Sequence, residues 1–271
     1  MTVPYKIKRI LFPVDFSERC EGAARYVEAL AGRFEAEVRL LHVVDTDVHG
    51  PEAHGLQGSR QALLEAFLTK ELAYCSAQKI CVVGDPATQI VETARSWAPD
   101  LIMMSTRGFG FYRPTLLGSV TAKVLHDVEA PVWTDIHSEE APALEKLAVR
   151  KVLCAIDLEK RSRQILDWAA FLACEYQAEL GIVHAIPLVE APPLLAEVRT
   201  KISALLKEAG VRATPITIDR GEPAEVVTGA AKDFAADLVI IGRHSGSGGK
   251  GYLRHNAYAI LRKSMCPVIS I

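Results

Sequence analysis

The sequence predicts an α/β protein built from two tandem domains, each a five-stranded parallel sheet flanked by helices. The first observation is a repeat: ILFPVDFS around Asp15 matches VLCAIDLE around Asp157, 142 residues later, and LLHV around His42 matches GIVHA around His184 at the same distance. The second is an alternation, within each copy, of short apolar runs with segments whose apolar residues recur every three or four positions. That pattern is typical of buried parallel strands alternating with amphipathic helices.

The elements of the first copy follow from this pattern. A helix is expected to begin after Ser17, a fair N-cap residue, with an apolar stripe from Cys20 to Phe34. Residues 45–59 contain three glycines and a proline and are predicted to form a loop. The remaining strands and helices are predicted as strands at 8–14, 38–44, 79–83, 101–105 and 131–136, and helices at 60–76, 86–98 and 118–128.

The second copy repeats the same order of elements. Strands are predicted at 151–156, 179–185, 213–219, 237–241 and 267–271, and helices at 162–177, 193–209 and 223–235, with a last helix ending at 264. The domains are therefore expected at residues 1–137 and 149–271, joined by a polar linker at 138–148. Each domain ends in an apolar strand that would otherwise be an exposed edge, so we expect the two domains to form an intramolecular pseudo-dimer.

The composition is that of an ordinary globular protein, with 49% hydrophobic and 24% charged residues and a net charge of −2. Nothing in this balance favours a nucleic-acid or membrane surface. The first residues, MTVPYKIKRILFPVD, lack a signal-peptide pattern, and no apolar run is long enough to span a bilayer. A cytoplasmic location is the expectation.

The six cysteines are scattered and form no C-x-x-C motif. Cys20, Cys154, Cys174 and Cys266 fall at apolar positions of predicted elements, so buried thiols are expected there. Cys75 and Cys81 are six residues apart and could pair, although free thiols are the default in a reducing compartment.

The residues after the strands are the candidates for a site, because open parallel sheets bind ligands beyond the carboxyl ends of their strands. In the first copy these residues include Asp15 and the run from Ser105 to Ser119. Gly118-Ser119 begins a predicted helix, whose backbone N–H groups and dipole favour an anion. Glycines, hydroxyl groups and arginines along the run would suit a phosphate, although a plain helix cap fits the same residues. These phosphate candidates are Arg107, Gly108, Gly118, Ser119 and Thr121.

Over nearly its whole length the chain resembles the universal stress protein family in its tandem two-domain form. The motifs that carry the resemblance are ILFPVDFS, LLHVVD, DLIMMSTRG and the nine-residue gap between Gly108 and Gly118-Ser119. Nucleotide-binding members of the family carry G-x-x-G, nine residues and G-[ST]; here Ser105 replaces the first glycine. The resemblance implies two Rossmann-like domains of the adenine nucleotide alpha hydrolase type, whose last strands pair antiparallel with Trp133 near the seam.

The resemblance also implies a set of contacts for ATP, or ADP or AMP in its place, with Mg²⁺ on the phosphates. Adenine would lie against Pro13, Val14 and Asp15, and the Asp15 carboxylate would accept from the base or the ribose. Val43 would offer main-chain contacts and Met104 would line the floor. The phosphates would be held by Ser105, Gly108, Gly118, Ser119 and Val120.

The second copy departs from the family pattern. Gly242 keeps the first glycine, but Ser245 takes the place of the second, and Arg254-His255 or His255-Asn256 replaces Gly118-Ser119. We therefore expect nucleotide in the first domain rather than the second. His244 and His255 could meet on a zinc ion, but no third ligand stands at a recognisable spacing.

No motif for conventional catalysis is present, and Asp45 and Asp85 are the only acidic candidates for a general base near the phosphates. Lys123 is expected to point to solvent. The sequence favours a stress-response regulatory protein that binds an adenine nucleotide and an unknown protein partner, as a tandem chain or a further homodimer. A slow ATPase or phosphotransferase, and an interaction scaffold without nucleotide, remain as alternatives.

Overall fold

The structure is a computed structural model, and its description covers residues 5–105, 117–134, 147–188, 195–211, 214–243 and 252–271, with the backbone alone for 252–255. The described residues form two compact units. The first unit lies within Lys6–Leu147, and the second within Ala148–Ile271 together with Tyr5. The Tyr5 ring packs against Trp168 at 5.0 Å between ring centres, so this residue clusters with the second unit and not with the one that follows it in sequence.

The first unit is a parallel sheet covered by helices. Its strands pair in the order β3-β2-β1-β4-β5. They are β1 (Arg9–Pro13), β2 (Glu37–Asp45), β3 (Ala77–Gly84), β4 (Leu101–Met104) and β5 (Val132–Thr134). The helices are α1 (Glu18–Phe34), α2 (Thr46–His49), α3 (Ala53–Ala66), α4 (Pro86–Trp97) and α5 (Ser119–Asp127), with a 3-10 turn at Gly50–Glu52.

The second unit repeats this architecture, with its strands in the order β10-β9-β6-β7-β8. The strands are β6 (Lys151–Ala155), β7 (Glu179–Ile186), β8 (Ile216–Arg220), β9 (Leu238–Ile241) and β10 (Val268–Ser270). The helices are α6 (Ser162–Tyr176), α7 (Leu195–Ala209), α8 (Pro223–Phe234) and α9 (Tyr252–Lys263). The prediction of two five-stranded parallel α/β domains is confirmed.

The strand order places one crevice in each sheet. From β1 the first sheet grows to one side through β2 and β3 and to the other through β4 and β5. The chain segments that leave β1 and β4 therefore diverge, and this topological switch point is where such sheets take ligands. In the second unit the switch point lies between β6 and β9.

The repeat extends to the polar contacts that fix the first strand of each unit. Asp100 Oδ2 accepts from the backbone N–H groups of Lys8 and Arg9 at 2.7 and 2.9 Å. Asp237 Oδ2 accepts in the same way from Arg150 and Lys151 at 2.8 and 2.9 Å. The aspartate of the repeated DLI and DLV motifs is thus structural, because it satisfies N–H groups at the start of β1 and β6.

The repeat also extends to left-handed backbone positions. Four matched pairs have positive φ at the 142- or 137-residue offset: Phe16 and Leu158, Glu35 and Gln177, Ala98 and Ala235, Gly84 and Gly221. A positive φ is unfavourable for the residues of the first three pairs, because none of them is glycine. The backbone has therefore kept its unusual turns in both copies, although the side chains at three of the four pairs are not glycine.

The region predicted as a loop at 45–59 is mostly helical, which corrects the sequence analysis. α3 begins at Ala53 and runs through Gly55 and Gly58, where an added Cβ would meet nothing within 4 Å. The helix is stabilised by side chains that reach the edge strand β3. Gln57 Nε2 donates to Cys81 O at 2.9 Å, and Gln61 bonds the N–H of Cys81 and the carbonyl of Lys79 at 2.8 and 3.1 Å.

The helix predicted at 60–76 also ends early, at Ala66. Phe67 is extended and Leu68 is left-handed with φ 54°, so the helical hydrogen-bond ladder cannot continue. The apolar spacing beyond this point reflects burial of Leu68 and Leu72 in a turn and not in a helix.

The six cysteines are free thiols. Burial is confirmed for Cys20, Cys154 and Cys266, but the prediction is wrong for Cys174, which is exposed. Its neighbours Leu172 and Ala173 face the core, and Cys174 falls on the opposite side of α6. Within the described ranges, no helix combines the length and apolar character needed to cross a membrane.

Candidate functional site

The loop after β1 presents Asp15 at the switch point of the first unit. Asp15 Oδ1 accepts from the Ser17 N–H and from the Cys20 thiol, both at 3.1 Å. Burial, and then the Asp15 charge, raise the pKa of Cys20 well above the ordinary thiol value, so the thiol stays protonated and remains a donor. Ser17 is the N-cap residue of α1, but its side chain makes no cap bond. The carboxylate of Asp15 is therefore held in place by the start of α1.

A histidine and an aromatic ring support the same loop. His42 Nδ1 donates to the carbonyl of Val14 at 2.9 Å. Burial lowers the pKa of His42, against the opposing effect of this bond. Phe16 lies in the left-handed region at φ 62°, and its ring stands 4.2 Å from His42 and 5.1 Å from Phe67 between ring centres. These contacts hold a bulky residue in an unfavourable conformation directly beside Asp15.

The loop after β4 is tied to the helix that follows it. Thr121 is 3% exposed, and its hydroxyl donates to the Ser105 carbonyl at 3.1 Å. Since a hydroxyl has one hydrogen, this bond leaves none for a phosphate, and Thr121 positions Ser105 instead. Gly118 is the N-cap of α5, with φ −60°, ψ 144° and no side-chain cap bond. Ser119 and Val120 open the helix, and the Ser119 side chain is exposed.

The remaining predicted residues divide by location. Pro13 ends β1, and Val14, which follows it, is buried. Val43 is half-buried in β2 opposite Val82, and Met104, buried, ends β4. The structure brings Asp15, Ser105 and Gly118 to the carboxyl edges of the neighbouring strands β1 and β4. Arg107 and Gly108 lie outside the described residues.

Lys123 does not simply point to solvent, which corrects the sequence analysis. Its Nζ lies 2.8 Å from Asp85 Oδ1, and Asp85 also caps α4 through the Thr88 N–H at 3.0 Å. The hydrogen bond from Lys123, and then that from Thr88, lower the pKa of Asp85 to about 2. A carboxylate with so low a pKa is a weak base, and Asp45 is engaged as the cap of α2. Neither aspartate therefore has the properties of an activated general base.

The second unit keeps the aspartate and changes its surroundings. Asp157 Oδ1 accepts from the Ser162 hydroxyl at 2.7 Å and from the Glu159 N–H at 2.9 Å, so Ser162 stands where Cys20 stands. His184 Nδ1 donates to Ile156 O at 2.8 Å, as His42 does to Val14. Both units therefore hold the aspartate after their first strand by equivalent hydrogen bonds.

The position of Ser105 corresponds to Gly242 in the second unit. An added Cβ at Gly242 would lie 2.6 Å from Ile165 Cδ1, the end of a side chain, so a larger residue there would require Ile165 to shift. Gly242 does not have a positive φ, and neither does Ser105. In the first unit the residue equivalent to Ile165 is Ala23, which is smaller. The serine at 105 therefore needs no special backbone conformation.

The described residues contain no group of three or more His, Cys, Asp or Glu side chains arranged to hold a metal ion. The possible zinc ligand His244 lies outside the described residues, and so does the side chain of His255. The backbone N–H groups at the start of α5 are hydrogen-bond donors, which suit phosphate oxygens. A Mg²⁺ ion at this place would be held by phosphate oxygens and water.

The sequence of both units matches one family. The model described as the universal stress protein family matches residues 6–134 and 148–271. The chain belongs to the universal stress protein family. Over its full tandem length the chain is similar to Universal stress protein Rv2005c of Mycobacterium tuberculosis, at 26% identity over 296 residues covering 99% of this chain and 98% of the relative.

Other members resemble one half or the fold alone. Universal stress protein MJ0577 of Methanocaldococcus jannaschii is 31% identical over 156 residues, which cover 49% of this chain and 95% of that protein. The crystal structure of a universal stress protein from Archaeoglobus fulgidus DSM 4304 superposes with a TM-score of 0.78 at 21% identity, over 99% of this chain and 97% of that one. That likeness supports the tandem fold.

Sequence reasoning missed the residues that hold the site residues in place. Cys20 anchors Asp15, and Phe16 and His42 support the turn beside it. The repeat contained a signal for the first of these, because Cys20 and Ser162 are both hydrogen-bond donors at the same offset as the two aspartates. Nothing in the spacing indicated the positive φ of Phe16.

Proposed function

We propose that the first unit of this universal stress protein binds an adenine nucleotide, ATP above all, and that its occupancy regulates a stress response through a protein partner. The observation that carries the proposal is the meeting of two kinds of group at one switch point. An anchored carboxylate, Asp15, follows β1, and the helix start at Gly118-Ser119 follows β4. A carboxylate suits the hydroxyl or amino groups of a nucleoside, and a helix start suits its phosphates.

The residues around these two groups fit the parts of the ligand. Pro13 and Val14 would contact the adenine, with Val43 offering main-chain groups and Met104 the floor of the pocket. Ser105, held by Thr121, would present its backbone to the phosphates together with Ser119 and Val120. The family motif that begins with Ser105 and continues through Arg107 and Gly108 supports the same arrangement.

A regulatory role is favoured over catalysis by the state of the acidic groups. Asp85 is ion-paired to Lys123 and has a pKa of about 2, and Asp45 caps a helix. Turnover of ATP would need a base to activate water or a hydroxyl, and neither group is suited to that role at neutral pH. A phosphate-release assay on the ATP complex separates the two functions: sustained release would favour a slow ATPase.

The test is calorimetric titration of the full chain with ATP and Mg²⁺. We expect one ATP per chain, bound in the first unit, and loss of binding in Gly118→Arg. Because Gly118 has φ −60°, which any residue adopts, the arginine is tolerated by the backbone and acts by filling the phosphate space. Mass spectrometry of the purified chain identifies any nucleotide that it retains.

Asp15→Ala and Asp157→Ala form a matched pair for the same titration. Each removes a carboxylate that anchors a helix start, so both should lower stability by a similar amount. Asp15→Ala alone should weaken ATP binding, by roughly 1–3 kcal/mol for a lost hydrogen bond to a charged group. Wild-type affinity in Asp15→Ala, or two ATP molecules per chain, would contradict the assignment. No binding at all would favour the interaction scaffold.

A further inference from the structure

The edge strand of the second sheet, β8, has one side that faces no other strand among the described residues. β8 pairs with β7 alone, and the residues just outside it, Pro215 and Gly221, both bond to β7, at 2.8 and 3.1 Å. Because successive residues of a strand direct their backbone groups to opposite sides, Ile216, Ile218 and Arg220 direct theirs away from β7. Within the described part of the chain, no backbone hydrogen bond reaches these outward groups.

The matching edge of the first unit is covered by side chains. At the 137-residue offset between the copies, Cys81 of β3 corresponds to Ile218 of β8. Gln57 and Gln61 of α3 bond the carbonyl and the N–H of Cys81 at 2.9 and 2.8 Å. The corresponding helix of the second unit, α7, has the sequence LAEVRTKISALLKEA, which contains no glutamine or asparagine. The amide protection of the first edge therefore has no counterpart in α7.

The charges of β8 restrict the kind of strand that can be added to it. Asp219 and Arg220 are exposed, whereas Ile216, Thr217 and Ile218 are half-buried. Like charges directly opposite each other in antiparallel strands are destabilising. An added strand must therefore carry no acid opposite Asp219 and no base opposite Arg220.

A second copy of β8 meets this requirement. When two copies run antiparallel with Ile218 opposite itself, Asp219 lies opposite Thr217, and Arg220 lies opposite Ile216. The Thr217 hydroxyl is a donor that suits the carboxylate, and the aliphatic stem of Arg220 can cover the isoleucine. The same register pairs the outward backbone groups of all three outward-facing residues. A register centred on Asp219 would instead bring two carboxylates together.

We propose that the chain forms a homodimer in which the β8 strands of two copies pair antiparallel about a two-fold axis at Ile218. Such a contact uses the same surface on both copies and closes on itself, so it gives a dimer and not a filament. It also removes an open strand edge from each copy. The interface lies on the second unit and does not rest on the nucleotide proposed for the first.

The first test is sedimentation equilibrium of the full chain. We expect a dimer that dissociates on dilution. Thr217→Asp places an acid opposite Asp219 twice in the interface and should weaken the dimer about tenfold, whereas Thr217→Lys places a base there and should strengthen it. Thr200→Asp adds the same charge at an exposed position of α7 and should leave the dimer unchanged. Weakening by Thr217→Lys as well would contradict the register centred on Ile218.

Backbone hydrogen exchange, followed by NMR at two protein concentrations, tests the same pairing directly. The Ile218 N–H should be protected only where the dimer forms. The N–H groups of Thr217 and Asp219 face β7, so they should be protected in the monomer too. Equal exchange of the Ile218 N–H at both concentrations, across a range in which the dimer forms, would contradict the interface.

Ile218→Pro provides a second variant for sedimentation. It removes an outward N–H and no bond to β7, and edge strands accept proline at such positions. We expect loss of the dimer with unchanged ATP binding. If this variant fails to fold, the Thr217 variants carry the test. The proposal is overturned if the full chain stays monomeric, in which case the edge is left for a strand of another protein, or if the dimer persists unchanged in Thr217→Asp and in folded Ile218→Pro.

Discussion

At the scale of single residues, Ser105 and Gly242 show how one packing contact has been solved differently in the two units. Gly242 lies against Ile165, whereas Ser105 has the smaller Ala23 at the equivalent position. In the second unit the larger residue of the pair, Ile165, lies on the helix. In the first unit the larger residue, Ser105, lies at the end of the strand. The smaller residue at position 23 is compatible with a serine at the end of β4 in the first unit.

We expect Gly242→Ser to destabilise the second unit, because its Cβ would lie 2.6 Å from Ile165 Cδ1. Overpacking of this kind typically costs about 1–3 kcal/mol. Urea unfolding followed by circular dichroism measures the loss. Adding Ile165→Ala to Gly242→Ser should relieve the clash, so that the double variant is more stable than the sum of the single changes predicts.

A glycine in open space provides the control for this prediction. An added Cβ at Gly229 on α8 meets nothing within 4 Å, so Gly229→Ser should not destabilise the unit. Equal losses of stability in the two serine variants would show that the Ile165 contact is not the cause.

The ion pair of Asp85 with Lys123 makes a second residue-scale prediction, on pH dependence. The pKa of Asp85 is lowered to about 2, so the folded chain binds fewer protons than the unfolded chain between the ordinary carboxyl pKa and pH 2. Its contribution to stability is therefore complete above about pH 4 and is lost as the pH falls towards 2. Lys123→Met should raise the pKa of Asp85, measured by carboxyl NMR titration, and flatten this acid dependence.

The hydrogen bonds from Thr88 to Asp85 limit how far the pKa of Asp85 can rise in Lys123→Met. Thr88 donates to the same carboxylate, so the pKa in Lys123→Met should stay below the ordinary value. Thr88→Val on the Lys123→Met background removes the Thr88 hydroxyl and should raise the pKa of Asp85 further, but the Thr88 N–H remains a donor and should keep that pKa below the ordinary value. An unchanged Asp85 pKa in Lys123→Met would show that the ion pair does not persist in solution.

At the scale of elements, α3 protects the open edge of the first sheet. An edge strand exposes N–H and C=O groups that invite pairing with other chains. Gln57 and Gln61, one turn apart on α3, place their amides on Cys81 and Lys79 of β3. The two side chains thus occupy backbone hydrogen-bonding groups that a further strand would otherwise pair with.

Gln61→Met should lower the unfolding free energy by roughly 1–3 kcal/mol, because it leaves the Cys81 N–H and the Lys79 carbonyl without this amide. Gln57→Met removes one bond and should have a smaller effect. Urea unfolding measures both, and light scattering reports any new association through the β3 edge. Gln78→Met removes only an exposed contact with Arg39 and should be close to neutral; an equal loss there would argue against edge protection.

The same helix shows where the sequence was informative about elements and where it was not. Strands such as β1 and β4 were predicted within one or two residues at most ends, because they are buried on both faces and read as continuous apolar runs. α3 was missed at its start because glycines at 55 and 58 outweighed the pattern. Its stability comes from amide contacts with a strand some twenty residues away, which periodicity does not report.

Some residues of the candidate site could likewise be predicted from the sequence, and others could not. Asp15 and Gly118 were predictable because they stand at strand and helix ends in a recognisable family motif. The anchoring bond of Cys20 and the bond of Thr121 to Ser105 depend on how α1 and α5 pack over the sheet. Local spacing indicates which residues lie at the ends of strands and helices. The direction of their side chains, and so their hydrogen bonds, is set by how the helices pack on the sheet.

At the scale of the whole molecule, the arrangement of the two domains as a pseudo-dimer stays a prediction. Each unit ends in a short apolar strand, β5 or β10, and the prediction that these strands pair antiparallel comes from the family resemblance described in the sequence analysis. We expect the separate chains 1–137 and 149–271 to self-associate, or to combine when mixed, in sedimentation velocity. Halves that are well folded, monomeric and indifferent to each other would contradict the prediction.

The left-handed positions shared by the two units also bear on how their differences arose. Residues 15–35 and 157–177 have the same length and carry a left-handed residue at the same two places, Phe16 and Glu35 in one and Leu158 and Gln177 in the other. A single ancestral domain must already have had these turns, and duplication copied them. What separated the copies afterwards was exchange of side chains on an inherited backbone. Segments of the two units are therefore natural donors and recipients for chimeras, since a transplanted stretch would meet the turns for which it was shaped.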